Sequence, residues 1–224
     1  MTLTLIKYPF QGRQRRYLYH NSGGRAATFG GRAVIFGLHG KGQTAEAFAN
    51  EAKFHERCPN AFVIYPQGAG LIPSWNAGSE PPTTWAEEQG IDDIAFIENL
   101  ARHVSNRGPI YAAGISNGGR LCYHLAGDAA LLAGMASVAG VPTDPTISRP
   151  SPCPILHLHG DADWIEPFDG GGPAGHVGAA AGLQRFREAG YPVTVTMVPG
   201  GRHRWDFGIG HDTTGTILAA WGLG

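Results

Sequence analysis

Cysteine, charge and long apolar runs are all scarce in this sequence, and each shortage removes a class of protein. The three cysteines, Cys58, Cys122 and Cys153, are odd in number and have no CxxC spacing. Neither a disulfide framework nor a zinc site is expected, and buried free thiols are the plain reading. Charged residues make up only 16% and nearly cancel, 17 Lys and Arg against 18 Asp and Glu, so there is no basic footprint for nucleic acid or an anionic membrane. No apolar run approaches the roughly 20 residues of a membrane span. The start, MTLTLIKYPF, lacks the basic segment and apolar h-region of an export signal. The chain as it stands is expected in the cytoplasm, with secretion as the alternative if an export signal belongs to a longer precursor.

Glycine is abundant instead: 34 of 224 residues, placed at the ends of apolar runs rather than in a repeat. Those are the places where tight strand-to-helix turns need it. With 42% hydrophobic residues, the length suits one domain, 1–224, with a sizeable core. Residues 3–8 and 15–20 are β-prone runs around PFQGRQ and read as an antiparallel hairpin. Runs at 33–38, 61–65, 110–113, 135–138, 155–158 and 193–198 lack sustained alternation, as strands buried on both faces do. Helical stretches at 44–57, 91–106, 117–126, 178–189 and 212–221 fall between and after them. Alternating strand and helix predicts a mostly parallel sheet with helices on both faces and functional groups at the carboxyl ends of the strands. The segment 66–90, rich in proline and glycine, reads as a long functional loop without an element of its own. The connection 139–152 is too short for a helical lid, so an open site is expected.

Gly114-Ile115-Ser116-Asn117-Gly118 fits G-x-S-x-G, with an apolar strand before it and a small-residue helix start after it. That context gives a common pattern its weight: the serine hydroxyl must stand clear of the sheet on a sharp turn, and the helix N-terminus favours developing negative charge. A serine needs a base, and in this architecture acid and base follow the nucleophile in that order. Asp163, in the turn after 155–158, is the expected acid, with Asp161 as its rival. His203, after 193–198, is the expected base, ahead of His211 and His176. The oxyanion donors are expected to be the backbone N–H groups of Asn117 and of Lys41 in Leu38-His39-Gly40-Lys41-Gly42. His157 and His159 share a strand face but lack a third ligand, so no metal is expected, and no cofactor is. Trp75 and Trp205 are candidate substrate contacts because they lie on loops beside these blocks.

LHGKGQTAEAF, Ser74-Trp75-Asn76, Asp92-Asp93 with Phe96-Ile97, GISNGG, HGDAD with Pro167-Phe168, and GGRHRW resemble, in order, the blocks of polyhydroxybutyrate depolymerase-like and feruloyl or acetylxylan esterase-like α/β hydrolases. The resemblance spans roughly residues 33–206. It implies an α/β-hydrolase three-layer sandwich with no lid domain, a triad of Ser116, Asp163 and His203, and a role for Trp75-Asn76 and Asp92-Asp93 in holding the long loop. The sequence departs from the group where members often carry disulfides, having Lys41 and Ser74 there. The expected activity is hydrolysis of a small or polymeric carboxylic ester through an acyl-serine. An amidase or peptidase with the same triad and a noncatalytic binding module are the alternatives.

Overall fold

The computed structural model describes residues 2–20, 32–79, 81–104, 108–128, 131–142, 147, 152–173, 175 and 177–224. Along the chain run β1 (Thr4–Phe10), β2 (Arg13–His20), β3 (Val34–Leu38), α1 (Ala45–Ala52), α2 (Phe54–Arg57), β4 (Phe62–Pro66), α3 (Trp85–Glu88), α4 (Asp93–Val104), β5 (Ile110–Ile115), α5 (Asn117–Asp128), β6 (Gly134–Val138), β7 (Ile155–Gly160), α6 (Ala179–Glu188), β8 (Val193–Val198) and α7 (Thr213–Ala220). One sheet takes the order β1-β2-β4-β3-β5-β6-β7-β8. It is parallel from β4 to β8, while β2 pairs antiparallel with both β1 and β4.

The strand pleat divides the core. Val34, Phe36 and Leu38 pack with Phe96 and Leu100 of α4, Leu121 and Leu125 of α5, and Leu183 and Phe186 of α6. Ile35 points the other way, into a cluster with Phe48 of α1, Phe54 of α2, and Ile217 and Leu218 of α7. Period-two alternation with apolar residues in both phases is what a strand needs when helices cover both faces. The result is the three-layer sandwich expected, and no helical layer covers the carboxyl ends of the strands among the described residues. Of the connection 139–152, residues 143–146 and 148–151 lie outside the described residues, as do the last two residues of the 91–106 helical stretch. Among the described residues no helix is long and apolar enough to cross a membrane.

Four local expectations need correction. The hairpin runs to Phe10, with Pro9 opposite Gln14 and only Gln11-Gly12 in the turn. Proline is tolerated because β1 is an edge strand with one side free of ladder bonds, and both turn residues have positive φ, 46° and 71°, as two-residue hairpin loops require. The helix of 44–57 is broken at Lys53, whose left-handed φ of 50° ends α1 and starts α2. The long loop does contain an element, the single turn α3, held by a capping box between Thr84 and Glu87. Strand β8 is not buried on both faces: it is the sheet's other edge, only Val198 of its residues is buried, and Met197 is 40% exposed.

Candidate active site

Between β5 and α5 the chain turns through Ser116, a non-glycine residue at φ 54°. Such a conformation costs about 1–3 kcal/mol and persists only where the surroundings fix it. They do so here: Ser116 N–H donates to the Val138 carbonyl at 2.9 Å and its own carbonyl accepts Arg120 N–H at 2.9 Å. A β-carbon on Gly118 would collide with the carbonyls of Leu38 and His39, and one on Gly114 would strike Gly118. The glycines therefore allow helix, Ser116 turn and neighbouring strand to meet.

A cavity of about 440 Å³ opens at this point. Ser116, His203, Lys41, Asn117, Arg120 and Glu166 all line it. His203 Nδ1–H donates to Asp163 Oδ2 at 2.7 Å. The other Asp163 oxygen accepts the N–H groups of Ile165 and Glu166, each at 3.0 Å. The carboxylate is buried and fixed, and it holds the imidazole through Nδ1, leaving Nε2 without a hydrogen bond among the described residues. Asp161 is instead an exposed turn residue whose Oδ1 accepts Gly200 N–H at 2.7 Å. His211 bonds to Thr213 Oγ1 beside α7, and His176 lies outside the described residues.

In the loop after β3 most backbone amides are already engaged. Gly40 N–H is taken by Gln43 Oε1 at 2.9 Å, Gly42 N–H by the Pro73 carbonyl at 2.8 Å, and Gln43 N–H by the Gly40 carbonyl at 3.1 Å. Neither Lys41 N–H nor Asn117 N–H donates to another group among the described residues, and both residues line the cavity. The loop is tied down further by His39, whose Nδ1–H donates to the Gly40 carbonyl at 2.8 Å while Nε2 accepts Gly68 N–H at 2.9 Å. Burial holds the His39 pKa down to about 4, which keeps that acceptor nitrogen bare at neutral pH.

The two tryptophans expected against substrate are not on the cavity wall. Trp75 is fully buried; its Nε1–H donates to the His39 carbonyl at 2.8 Å, and its backbone exchanges hydrogen bonds with the Asn117 amide at 2.7 and 3.1 Å. Trp205 is buried between Phe48 and Phe54 and donates to Thr214 Oγ1 at 3.0 Å. Large rings flanking the functional blocks fix the loops from behind. The pair Asp92-Asp93 divides its work: Asp93 accepts Asn76 N–H at 2.8 Å and Arg15 Nη2–H at 2.6 Å, whereas Asp92 caps α4 through Ala95 N–H at 2.9 Å.

Sequence reasoning missed Arg120 and Glu166. Arg120, one turn into α5, pairs with Glu166, three residues beyond Asp163, and also donates to Ser79 Oγ at 3.1 Å. Both side chains are only 4% exposed. The pair ties α5, which follows Ser116, to the turn that holds Asp163 and to the long loop. Truncating one partner of a buried pair leaves an uncompensated charge, so Arg120→Met is expected to lower stability by about 3–5 kcal/mol. Urea unfolding checks this, and R120M/E166M is expected to recover most of the loss.

No family model matches the chain. It is 33% identical over 177 residues to the candidate esterase NocK of Nocardia uniformis subsp. tsuyamanensis, a match covering 75% of this chain and 51% of that protein. The chain thus spans about half the length of this curated relative. Among solved structures it resembles Thermogutta terrifontis esterase 2 phosphoramylated by tabun, with a TM-score of 0.68 and 14% identity over 99% of this chain and 95% of that one. It also resembles esterase PE8, with a TM-score of 0.64 and 18% identity over 86% and 92%. The sheet order, the serine turn and these likenesses make the chain a protein of the α/β-hydrolase fold.

Proposed function

We propose that the protein is a serine carboxylic-ester hydrolase working through an acyl-serine intermediate. The observation that carries this reading is the convergence on one cavity of a turn-strained Ser116, a His203 imidazole bonded to the buried Asp163, and the Lys41 and Asn117 amides, unpaired among the described residues. In the proposed cycle Ser116 Oγ attacks the ester carbonyl carbon as His203 Nε2 takes its proton, and Asp163 stabilises the resulting imidazolium. The tetrahedral oxyanion receives the Lys41 and Asn117 N–H groups, each worth about 3 kcal/mol in such a site. Collapse breaks the bond to the alcohol, which leaves with the proton from His203. Water then enters, gives a proton to His203, and adds to the acyl carbon; the second collapse returns that proton to Ser116 and frees the acid.

The name of the curated relative and the resemblance to depolymerase-like and feruloyl or acetyl esterases support esters as the substrate class. Hydroxyalkanoate oligomers, feruloyl esters and acetylated sugars are the first to test. A fluorophosphonate probe with peptide mapping is the direct experiment: labelling at Ser116 in folded protein is expected, and its absence sinks the proposal. A panel of matched esters and amides then reads the reaction class, with esters expected to be turned over far faster.

A further inference from the structure

Behind the triad acid lies a chain of buried hydrogen bonds that the proposed cycle leaves unused. Tyr123 OH, on α5, is 2.6 Å from His157 Nδ1; His157 Nε2 is 3.1 Å from His159 Nδ1; His159 Nε2 is 2.7 Å from the Glu166 carbonyl oxygen and 3.5 Å from Asp163 Oδ2. The two imidazoles are fully buried. The Glu166 carbonyl can only accept, so His159 Nε2 must carry hydrogen. A neutral His159 then has a bare Nδ1, which must accept, so His157 Nε2 carries hydrogen as well. The bare His157 Nδ1 accepts from Tyr123 in turn. One acceptor at the end thus fixes every tautomer, and all three donors run in one direction, from Tyr123 to the Glu166 carbonyl, with Asp163 Oδ2 3.5 Å from the last of them.

We propose that His159 is a positioning residue for the triad acid, its Nε2–H shared between the Glu166 carbonyl and the face of Asp163 and its tautomer locked by His157 and Tyr123. This role rests on the proposed Ser116–Asp163–His203 triad. Hydrogen bonds in such a chain polarise one another, so the His159 Nε2–H is a stronger donor than an isolated imidazole supplies. The Glu166 carbonyl it holds belongs to the residue whose N–H also fixes Asp163 Oδ1.

The charges around His159 are compatible with a neutral ring. Asp163 and Asp169 from its own connection favour a proton, whereas His203 from the loop after β8 opposes one. The Glu166 carboxylate is occupied by Arg120 of α5, and Arg187 of α6 acts on His157 from behind. Burial outweighs them all, holding His159 down to about 4 and His157 to about 3. With His157 N–H on its Nδ1, His159 places no second cation beside Asp163 to compete with the imidazolium of His203.

The test joins kinetics with imidazole nitrogen NMR. In wild-type protein at pH 7, His157 and His159 are expected as neutral Nε2–H tautomers; an imidazolium or an Nδ1–H ring at position 159 overturns the proposal. His159→Phe removes the donor, which makes Asp163 a stronger partner for imidazolium. Its acid limb of kcat/KM is expected to rise by roughly half to one pH unit, with kcat about tenfold to a hundredfold lower and KM little changed. His159→Gln, which offers an amide N–H near the same point, is expected to restore most of both. Equal losses in the two variants with an unmoved acid limb mean packing alone and overturn it. Should His159→Phe fail to fold, Tyr123→Phe carries the kinetic test, with a smaller upward shift expected and no shift overturning it. If Ser116 refuses the fluorophosphonate probe while the tautomers are as stated, the triad reading has failed and takes the positioning role with it, whereas a labelled Ser116 with the wrong tautomers fails this inference alone.

Discussion

Ser116→Ala is expected to lower kcat about a millionfold, leaving only the residual rate that the oxyanion amides and substrate binding provide. The size of the effect follows from the way the proposed triad acts as a unit. Without the hydroxyl, His203 has no proton to take, and the Asp163–His203 bond at 2.7 Å stabilises a charge that never forms. Stability should move differently. Alanine keeps a β-carbon at φ 54°, so the turn strain stays, whereas Ser116→Gly removes both the nucleophile and the steric penalty. The glycine variant is expected to be inactive yet more stable than the alanine variant by roughly 1 kcal/mol. Hydrolysis of an activated acetate ester and thermal melting of the two variants read both halves. A serine variant that keeps a tenth of wild-type activity on a verified pure sample contradicts the assignment.

Where the sequence could be read, the reason is local physics. Val34–Leu38 and Phe62–Pro66 lie inside a sheet covered on both faces, so every position is buried and the apolar run shows without ambiguity. The Ser116 turn was equally legible, because glycines at 114 and 118 are demanded by contacts within a few residues and across the adjacent strand end. Boundaries set by weaker forces were less visible. The break at Lys53 depends on one residue adopting a left-handed conformation that its side chain does not advertise. Turn α3 did carry a readable mark, Thr84 followed three residues later by Glu87, but the surrounding prolines masked it.

Partners distant in sequence were the hardest to foresee. Arg120 and Glu166 are 46 residues apart, and Tyr123 reaches His157 across 34; no periodicity links them. The tryptophans illustrate the opposite error. Their position next to the functional blocks suggested a substrate surface, but a large ring beside a loop is just as useful for holding it. Trp75, bonded to both His39 and Asn117, stabilises the two loops that are expected to supply the oxyanion amides.

Asp163→Asn is expected to cost about 10⁴-fold in kcat, and Asp161→Asn less than about tenfold, since its loss touches a surface turn. The asymmetry comes from what each carboxylate receives. Asp161 Oδ1 accepts one N–H, from Gly200, and an amide oxygen at the same place accepts it equally well. Asp163 has donors on both sides: two backbone N–H groups on Oδ1 and His203 Nδ1–H on Oδ2. An asparagine there must turn its oxygen toward the two backbone donors, which directs its NH₂ at His203. The imidazole then has to present a bare Nδ1, and its proton moves to Nε2, the atom that faces the cavity in the proposed mechanism. A base already carrying its proton cannot activate Ser116, and the fold has no reason to change. The expected signature is therefore an intact melting curve, nearly normal KM, and a kcat that has collapsed, read on the ester that the panel identifies. If D161N collapses instead and D163N stays active, the acid has been placed on the wrong side of the turn.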